Sequence, residues 1–265
     1  MQDVFYFYSM EIAIIQTDLI WENPKENRTQ FNRKIDAISQ PVDLIVLPEM
    51  FSTGFTMFPN DLAESIDGET VRWMQEVAKT KQTAICGSII VEENANFYNR
   101  LVFVHPNGKI ETYDKRHLFS LAGEHEQYTK GTEKVIIEYK GWKICPQICY
   151  DLRFSVFSRN NEEYDLLIYV ANWPKPRIMA WDTLLKARAI ENMSFVVGVN
   201  RIGLDGNKHE YVGHSIFLDE LGNSIVEAND NDGVFIATLD KTKMLQTREK
   251  FNFLNDRDDF SINLG

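Results

Sequence analysis

A chain of 265 residues, 44% of them hydrophobic and 25% charged, has the make-up of a soluble globular protein that can bury a large core. Its formal charge of −11 excludes the basic face that nucleic acid and anionic membranes need, while small anionic substrates stay open. The three cysteines, Cys86, Cys145 and Cys149, cannot all pair within the chain and fit no zinc or CxxC spacing, so they read as reduced thiols of a cytoplasmic protein.

In chain order, the start "MQDVFYFYSM" lacks the basic region of a signal peptide. Met10 reads as the beginning of the folded unit, with residues 1–9 an extension. "EIAIIQ" and "VDLIVLPE" read as strands, with the amphipathic helix "NPKENRTQFNRKIDAIS" between them. "ETVRWMQEVAKTKQ" is a second helix, carrying Val71, Met74 and Val77 at helical spacing. Three strands follow, "TAICGSIIVE", "NFYNRLVFVHP" and "KIETYDK", with Pro106, Asn107 and Gly108 turning between the last two. "KVIIEY" and "WKICPQIC" are split by Gly141, and "DLRFSVFSRN" opens a helix. "DLLIYVANW" is a strand, and "RIMAWDTLLKARAIENM" is the clearest helix of the chain. "SFVVGVN", "HSIFLDELGNSIVE" and "GVFIATLD" return to strand, and the helix "KTKMLQTREKF" precedes a polar tail over 254–265. Runs such as "LIVLP" and "LLIYVA" are apolar throughout, as strands covered on both faces are. No linker divides the chain and no run reaches the roughly 18 to 20 apolar residues of a membrane span, so residues 10–253 form one layered α/β domain.

Three strand ends carry candidate chemistry, since ligands of layered α/β sheets bind there. In "LIVLPEMFSTGF", Glu49 among apolar neighbours suits a general base, although taken alone it reads better as an acid that ends a strand in water. In "YDKRHLF", Lys115 suits an oxyanion donor and His117 a structural role; a solvated basic turn is the competing reading. In "ICPQICYDLRF", Cys149 sits at a strand-to-helix turn. There a helix dipole lowers a thiol pKa, and the Tyr150 N–H points where an oxyanion forms. Cys145, on the strand itself, reads as a packed hydrophobe. A fourth strand end, "ANWPKPR", is a weaker candidate: Asn172, Trp173 and Arg177 offer a substrate-binding loop, with Arg177 suited either to a substrate carboxylate or to a surface acid.

Together, "LPEMF", "YDKRHLF" and "CYDLRF" in this order resemble the nitrilase, or carbon–nitrogen hydrolase, superfamily. The likeness continues through "YDLLIYVANWP", "LLKARAIEN" and "GHSIFLDELGNSI", nearly the whole chain. Tyr-Asp after Cys149, where nitrilases carry Trp-Glu, places it on the amidase side, most similar to the bacterial ω-amidases; Ser155 departs from the proline common there. The resemblance implies a four-layer αββα sandwich that pairs as a homodimer, or assembles further, through helices 151–160 and 178–192. It implies a Glu49, Lys115, Cys149 triad, with a second glutamate before Gly131 that matches Glu124, or Glu126 failing that. Neither metal nor cofactor is expected. The implied reaction releases ammonia from the terminal amide of α-ketoglutaramate or α-ketosuccinamate through a thioester, with Lys115→Ala lowering turnover and sparing the fold. An amidase for N-carbamoyl amino acids or another small amide, or a silent binding relative, are the alternatives.

Overall fold

The computed structural model describes residues 8–262. Strand β1 (Ser9–Gln16) leads into α1 (Pro24–Asp36), whose first turn is held by the Asn23 side chain accepting from the Glu26 N–H at 3.2 Å. Then come β2 (Leu44–Val46), α2 (Glu69–Lys81), β3 (Ala84–Glu93), β4 (Asn96–Val104) and β5 (Ile110–Asp114). A single turn, α3 (Glu124–Gln127), precedes β6 (Ile137–Tyr139) and β7 (Trp142–Ile148). After another single turn, α4 (Ser155–Ser158), the chain forms β8 (Leu166–Ala171), α5 (Ile178–Asn192) and β9 (Phe195–Asn200). A ribbon, β10 (Ile202–Leu204) with β11 (Glu210–Val212), leads to β12 (Ser215–Leu218), β13 (Ser224–Asn229), β14 (Gly233–Asp240) and α6 (Lys241–Phe251).

Two six-stranded sheets result, in the orders β14-β1-β2-β3-β4-β5 and β13-β12-β9-β8-β7-β6. Each has a parallel centre, β1-β2-β3 and β7-β8-β9, whose strand ends all face one way. Alternation along β1 assigns the layers. Ile12 and Ile14 join the core shared with the second sheet, whereas Ala13 and Ile15 pack with Phe31, Val71 and Met74 of α1 and α2. On the far side α5 lies so close to β9 that a Cβ on Gly198 would stand 2.5 Å from a Leu185 methyl. Helices, sheet, sheet and helix make the expected αββα sandwich, with β2 and β8 buried at every position.

Some expectations shift. The helix read over 151–160 is instead a 3-10 turn, Cys149–Arg153, followed by the one-turn α4, because Phe154 leaves helical geometry between them. "HSIFLDELGNSIVE" is a hairpin, closed by Gly222 N–H donating to the Asp219 carbonyl at 2.9 Å. The β10–β11 ribbon was not foreseen. β1 starts at Ser9, which pairs with Asp240, and the rest of the expected extension, residues 1–7, lies outside the described residues. The tail begins with a 3-10 turn, Phe253–Asp256, that buries Leu254.

Candidate active site

Four of the strand ends meet at one cavity of about 330 Å3. Cys149 and Lys115 line it together with Tyr150, Asn172, Trp173 and Arg177, every one of which the sequence had put forward. Glu49 and Glu124 stand behind them, fully buried.

The first sheet supplies the charges. Glu49 follows β2, and Met50 turns the chain with φ +42°, a left-handed conformation held by its N–H donating to the Ser88 hydroxyl at 2.8 Å. Lys115 follows β5, its N–H tied to the Asn99 carbonyl of β4 at 3.0 Å. Its ammonium donates to Glu49 Oε1 at 2.8 Å and to Glu124 Oε2 and Oε1 at 2.9 and 3.0 Å. Burial works against the Lys115 charge, but Glu124 and Glu49 outweigh it and hold its pKa above the ordinary value. For Glu124, burial and the repulsion of Glu49 push the carboxyl up, against Lys115 and the Phe119 N–H at 2.5 Å. Glu126, the other acid of "GEHEQ", is exposed. Gly131 is needed nearby because a Cβ there would stand 2.2 Å from the Asp114 carbonyl oxygen.

The second sheet supplies the thiol. Cys149 has φ +45°, so β7 ends in a left-handed elbow whose strain is of order 1–3 kcal/mol. Asp151 fixes that elbow. Its carboxylate accepts from the Ile148 N–H at 3.0 Å, the Tyr113 hydroxyl at 2.7 Å and the His117 N–H at 2.9 Å, joining the Cys149 turn to the Lys115 loop. His117 also meets Asp151 through Nδ1 at 2.7 Å and stacks on Phe154 at 3.7 Å, a structural role. The expectation of a depressed thiol pKa is corrected. With a 3-10 turn in place of a long helix, burial and the nearby charge of Glu49 push the Cys149 thiol well above its ordinary value, and Lys115 opposes them only in part. Cys145 lies wholly in the core, where burial pushes its thiol up to about 12.

Asn172 does more than line the cavity. Its backbone N–H donates to Glu49 Oε2 at 2.8 Å and its Nδ2 to the Glu49 carbonyl at 2.6 Å, so the end of β8 clamps the acid that ends β2. Trp173 is buried and donates its indole N–H to the Arg177 carbonyl at 2.7 Å. The Arg177 guanidinium lies 5.0 Å from the centre of the Phe119 ring.

Sequence reasoning missed Asn99, Asp151, Arg153 and the β10–β11 loop. Arg153 lines the cavity with its guanidinium 5.0 Å from the centre of the Trp173 ring. Asp205, Asn207, His209 and Tyr211 close the cavity from the ribbon, with the Asp205 carboxylate accepting from the Tyr211 hydroxyl at 3.0 Å. Asn99, placed mid-strand in β4 ahead of the apolar run Leu101–Val104, was the one readable signal, since a buried amide needs partners. Among the described residues no group of three or more His, Cys, Asp or Glu side chains is arranged to hold a metal ion.

A buried ammonium between two carboxylates, beside a thiol on a strained elbow, can attack a carbonyl and move one proton to and fro. A family model described as carbon-nitrogen hydrolase matches residues 11–249. The omega-amidase YafV of Yersinia enterocolitica is 43% identical over 260 residues, covering 96% of this chain and 99% of the relative. A 2-oxoglutaramate amidase of Bacillus subtilis is 33% identical, covering 92% and 96%. A carbon-nitrogen hydrolase superfamily protein from Xanthomonas campestris, its crystal structure holding an arsenic adduct in the active site, matches with a TM-score of 0.95 at 40% identity. That match covers 97% of this chain and 100% of the other.

Proposed function

The chain belongs to the carbon–nitrogen hydrolase family, and from that premise we propose that it is an ω-amidase. It hydrolyses the terminal amide of a small keto-acid amide, such as α-ketoglutaramate or α-ketosuccinamate, to the acid and ammonia. The observation that carries the reading is Lys115, buried between Glu49 and Glu124 in the cavity that Cys149 lines. Full-length relatives named omega-amidase and 2-oxoglutaramate amidase support the choice of substrate.

In this mechanism Glu49 takes the Cys149 thiol proton as the sulfur attacks the amide carbonyl, so the thiol ionises only in step with bond formation. The tetrahedral oxyanion is held by the Tyr150 N–H and by Lys115. One Lys115 N–H serves Glu49, one is shared by the two Glu124 oxygens, and the third serves the oxyanion. Glu124 thus orients Lys115. As the C–N bond breaks, Glu49 passes its proton to nitrogen and ammonia leaves a Cys149 thioester. Water then gives a proton to Glu49 and attacks the thioester, releasing the acid, and the sulfur recovers that proton. Asn172 holds Glu49 in line throughout. Trp173 and Phe119 back the Arg153 and Arg177 guanidiniums, which have no carboxylate partner among the described residues. In a protein of charge −11, two unpaired cations at one cavity suit a substrate that brings its own carboxylate.

The catalytic unit is the single domain of residues 10–253, working in the cytoplasm as a homodimer. The three unpaired cysteines support the compartment. The exposed Val156, Met179 and Ile190 on α4 and α5 support the pairing, which sedimentation tests. A coupled ammonia assay tests the activity. Turnover of α-ketoglutaramate is expected, with glutamine far slower and a simple nitrile inert. A higher kcat/KM on an N-carbamoyl amino acid or a neutral amide would overturn the substrate assignment.

A further inference from the structure

Asn99 sits inside β4, opposite Ile90 of β3 and just before Arg100 and the buried run Leu101–Val104. Its Nδ2 donates to Glu49 Oε1 at 2.8 Å and to Glu124 Oε1 at 3.1 Å. These are the two carboxylate oxygens that Lys115 also serves. Both partners are acceptors, so the amide can face them only with its nitrogen; the reverse orientation would set oxygen against two carboxylates. The Oδ1 atom that faces away is buried and has no partner. A buried amide normally satisfies both ends. This one leaves its acceptor empty and spends both donors on the site.

The charge balance gives the reason. Lys115 is one ammonium between two carboxyl groups, Glu49 and Glu124, and all three side chains are fully buried. Two carboxylates on one ammonium would share a proton unless further donors hold them ionised. A second cation would do so, but it would also make Glu49 too weak a base to take a thiol proton. A neutral amide donates twice and adds no charge.

From this geometry we infer that Asn99 is a positioning residue of the reaction: it bridges Glu49 and Glu124, fixes both carboxyl groups against Lys115, and thereby holds Glu49 where it accepts the Cys149 proton. The inference rests on the reading of Glu49 as the base. The groups that face Glu49 are Lys115 at the end of β5, Glu124 on α3, the Cys149 thiol after β7 and the Tyr128 phenol, the last bonded to the Thr56 carbonyl at 2.8 Å. Among the described residues the other neutral donors to it are the Asn172 amide and the Cys149 thiol whose proton it takes.

The test compares Asn99→Ala, Asn99→Ser and Asn99→Gln with wild type and Glu49→Gln. The first readout is the pH profile of kcat/KM for ammonia release from α-ketoglutaramate. The second is the pH profile of Cys149 alkylation by iodoacetamide, which needs no knowledge of the substrate. Removing one donor from an ionised carboxylate moves the acid limb upward by about one pH unit, equivalent to about tenfold lower activity on that limb, with activity recovering as pH rises. KM should change little, and Asn99→Gln should restore part of the profile. A uniform loss at every pH, or a limb that does not move in folded Asn99→Ala and Asn99→Ser, overturns the inference. If Glu49→Gln leaves the alkylation profile unchanged, the reading of Glu49 as base fails instead. If Glu49→Gln alters it and the Asn99 variants do not, only the role of Asn99 fails.

Discussion

The two sheets end at one cavity and bring different things to it. The first sheet brings charges that already answer one another: the Glu49, Lys115 and Glu124 side chains show no solvent exposure and are bonded in a row. The second brings a strained backbone at Cys149 and, at the cavity, the Arg153 and Arg177 guanidiniums, which rest on aromatic rings and have no carboxylate partner among the described residues. A field that does not have to reorganise during the reaction is what stabilises a transition state. Unfilled polar groups are what a substrate completes. The first sheet is therefore the fixed electrostatic half of the site and the second the half that reacts and recognises.

The largest effects break one member of each half. Cys149→Ala should abolish ammonia release and leave the melting temperature close to wild type. Glu49→Gln should also abolish it, while changing the thiol in the opposite sense. The Glu49 charge helps to raise the Cys149 pKa, so removing that charge lowers it. Thiolate absorbance should appear at lower pH in Glu49→Gln than in wild type, in an enzyme that no longer turns over. A midpoint that rises would show that Glu49 does not act on the thiol through its charge.

Next comes the centre of the charged half. Lys115→Ala should reduce kcat about 10²–10³-fold, the loss typical of one oxyanion donor. The sequence alone suggested that the fold would be spared, and the burial of the cluster corrects that. Without Lys115, Glu49 and Glu124 face each other with no cation, and breaking such a buried pair costs about 3–5 kcal/mol. Thermal melting should show a drop that eases as pH falls and one carboxylate is protonated. An unchanged melt would mean that the two acids are not both ionised in the folded protein.

The recognising half should give a smaller and more selective change. Arg153→Ala or Arg177→Ala should raise KM for α-ketoglutaramate about tenfold, the worth of one charge-assisted hydrogen bond. KM for a neutral aliphatic amide should stay within about twofold, and kcat should hold. Equal losses on both substrates would make the pair structural supports of Trp173 and Phe119.

The same division explains what could be read without coordinates. Glu49, Lys115 and Cys149 each end an apolar strand, so a local pattern points to them; Glu124 needed the spacing to Gly131, and the 2.2 Å approach to Asp114 now gives that glycine a reason. Asn99 leaves one sign, a polar amide inside a strand, but its role, like that of Asp151, consists of partners far along the chain: Asn99 reaches back 50 residues to Glu49, and Asp151 reaches back 38 to Tyr113. Arg153, within "CYDLRF", carries no local pattern of its own; the 3-10 turn Cys149–Arg153 sets it at the cavity. The polar ribbon β10–β11 carries too short an apolar pattern to read as strands at all.

The smallest expected effect tests the elbow itself. Residues 145, 147 and 149 would share one face if β7 ran straight on, so alternation cannot separate Cys145 from Cys149. What separates them is the left-handed turn at φ +45°, which ends the strand at Ile148 and delivers Cys149 to the cavity while Cys145 stays in the core. Cys145→Ala should therefore leave kcat/KM within about twofold and cost about 1 kcal/mol of stability through lost packing. Iodoacetamide should modify Cys149, which lines the cavity, and spare Cys145, which lies wholly in the core. Retained turnover in Cys149→Ala together with its loss in Cys145→Ala would reverse the assignment. In that case the strained elbow would be a packing device and the reacting sulfur would lie on the straight part of β7.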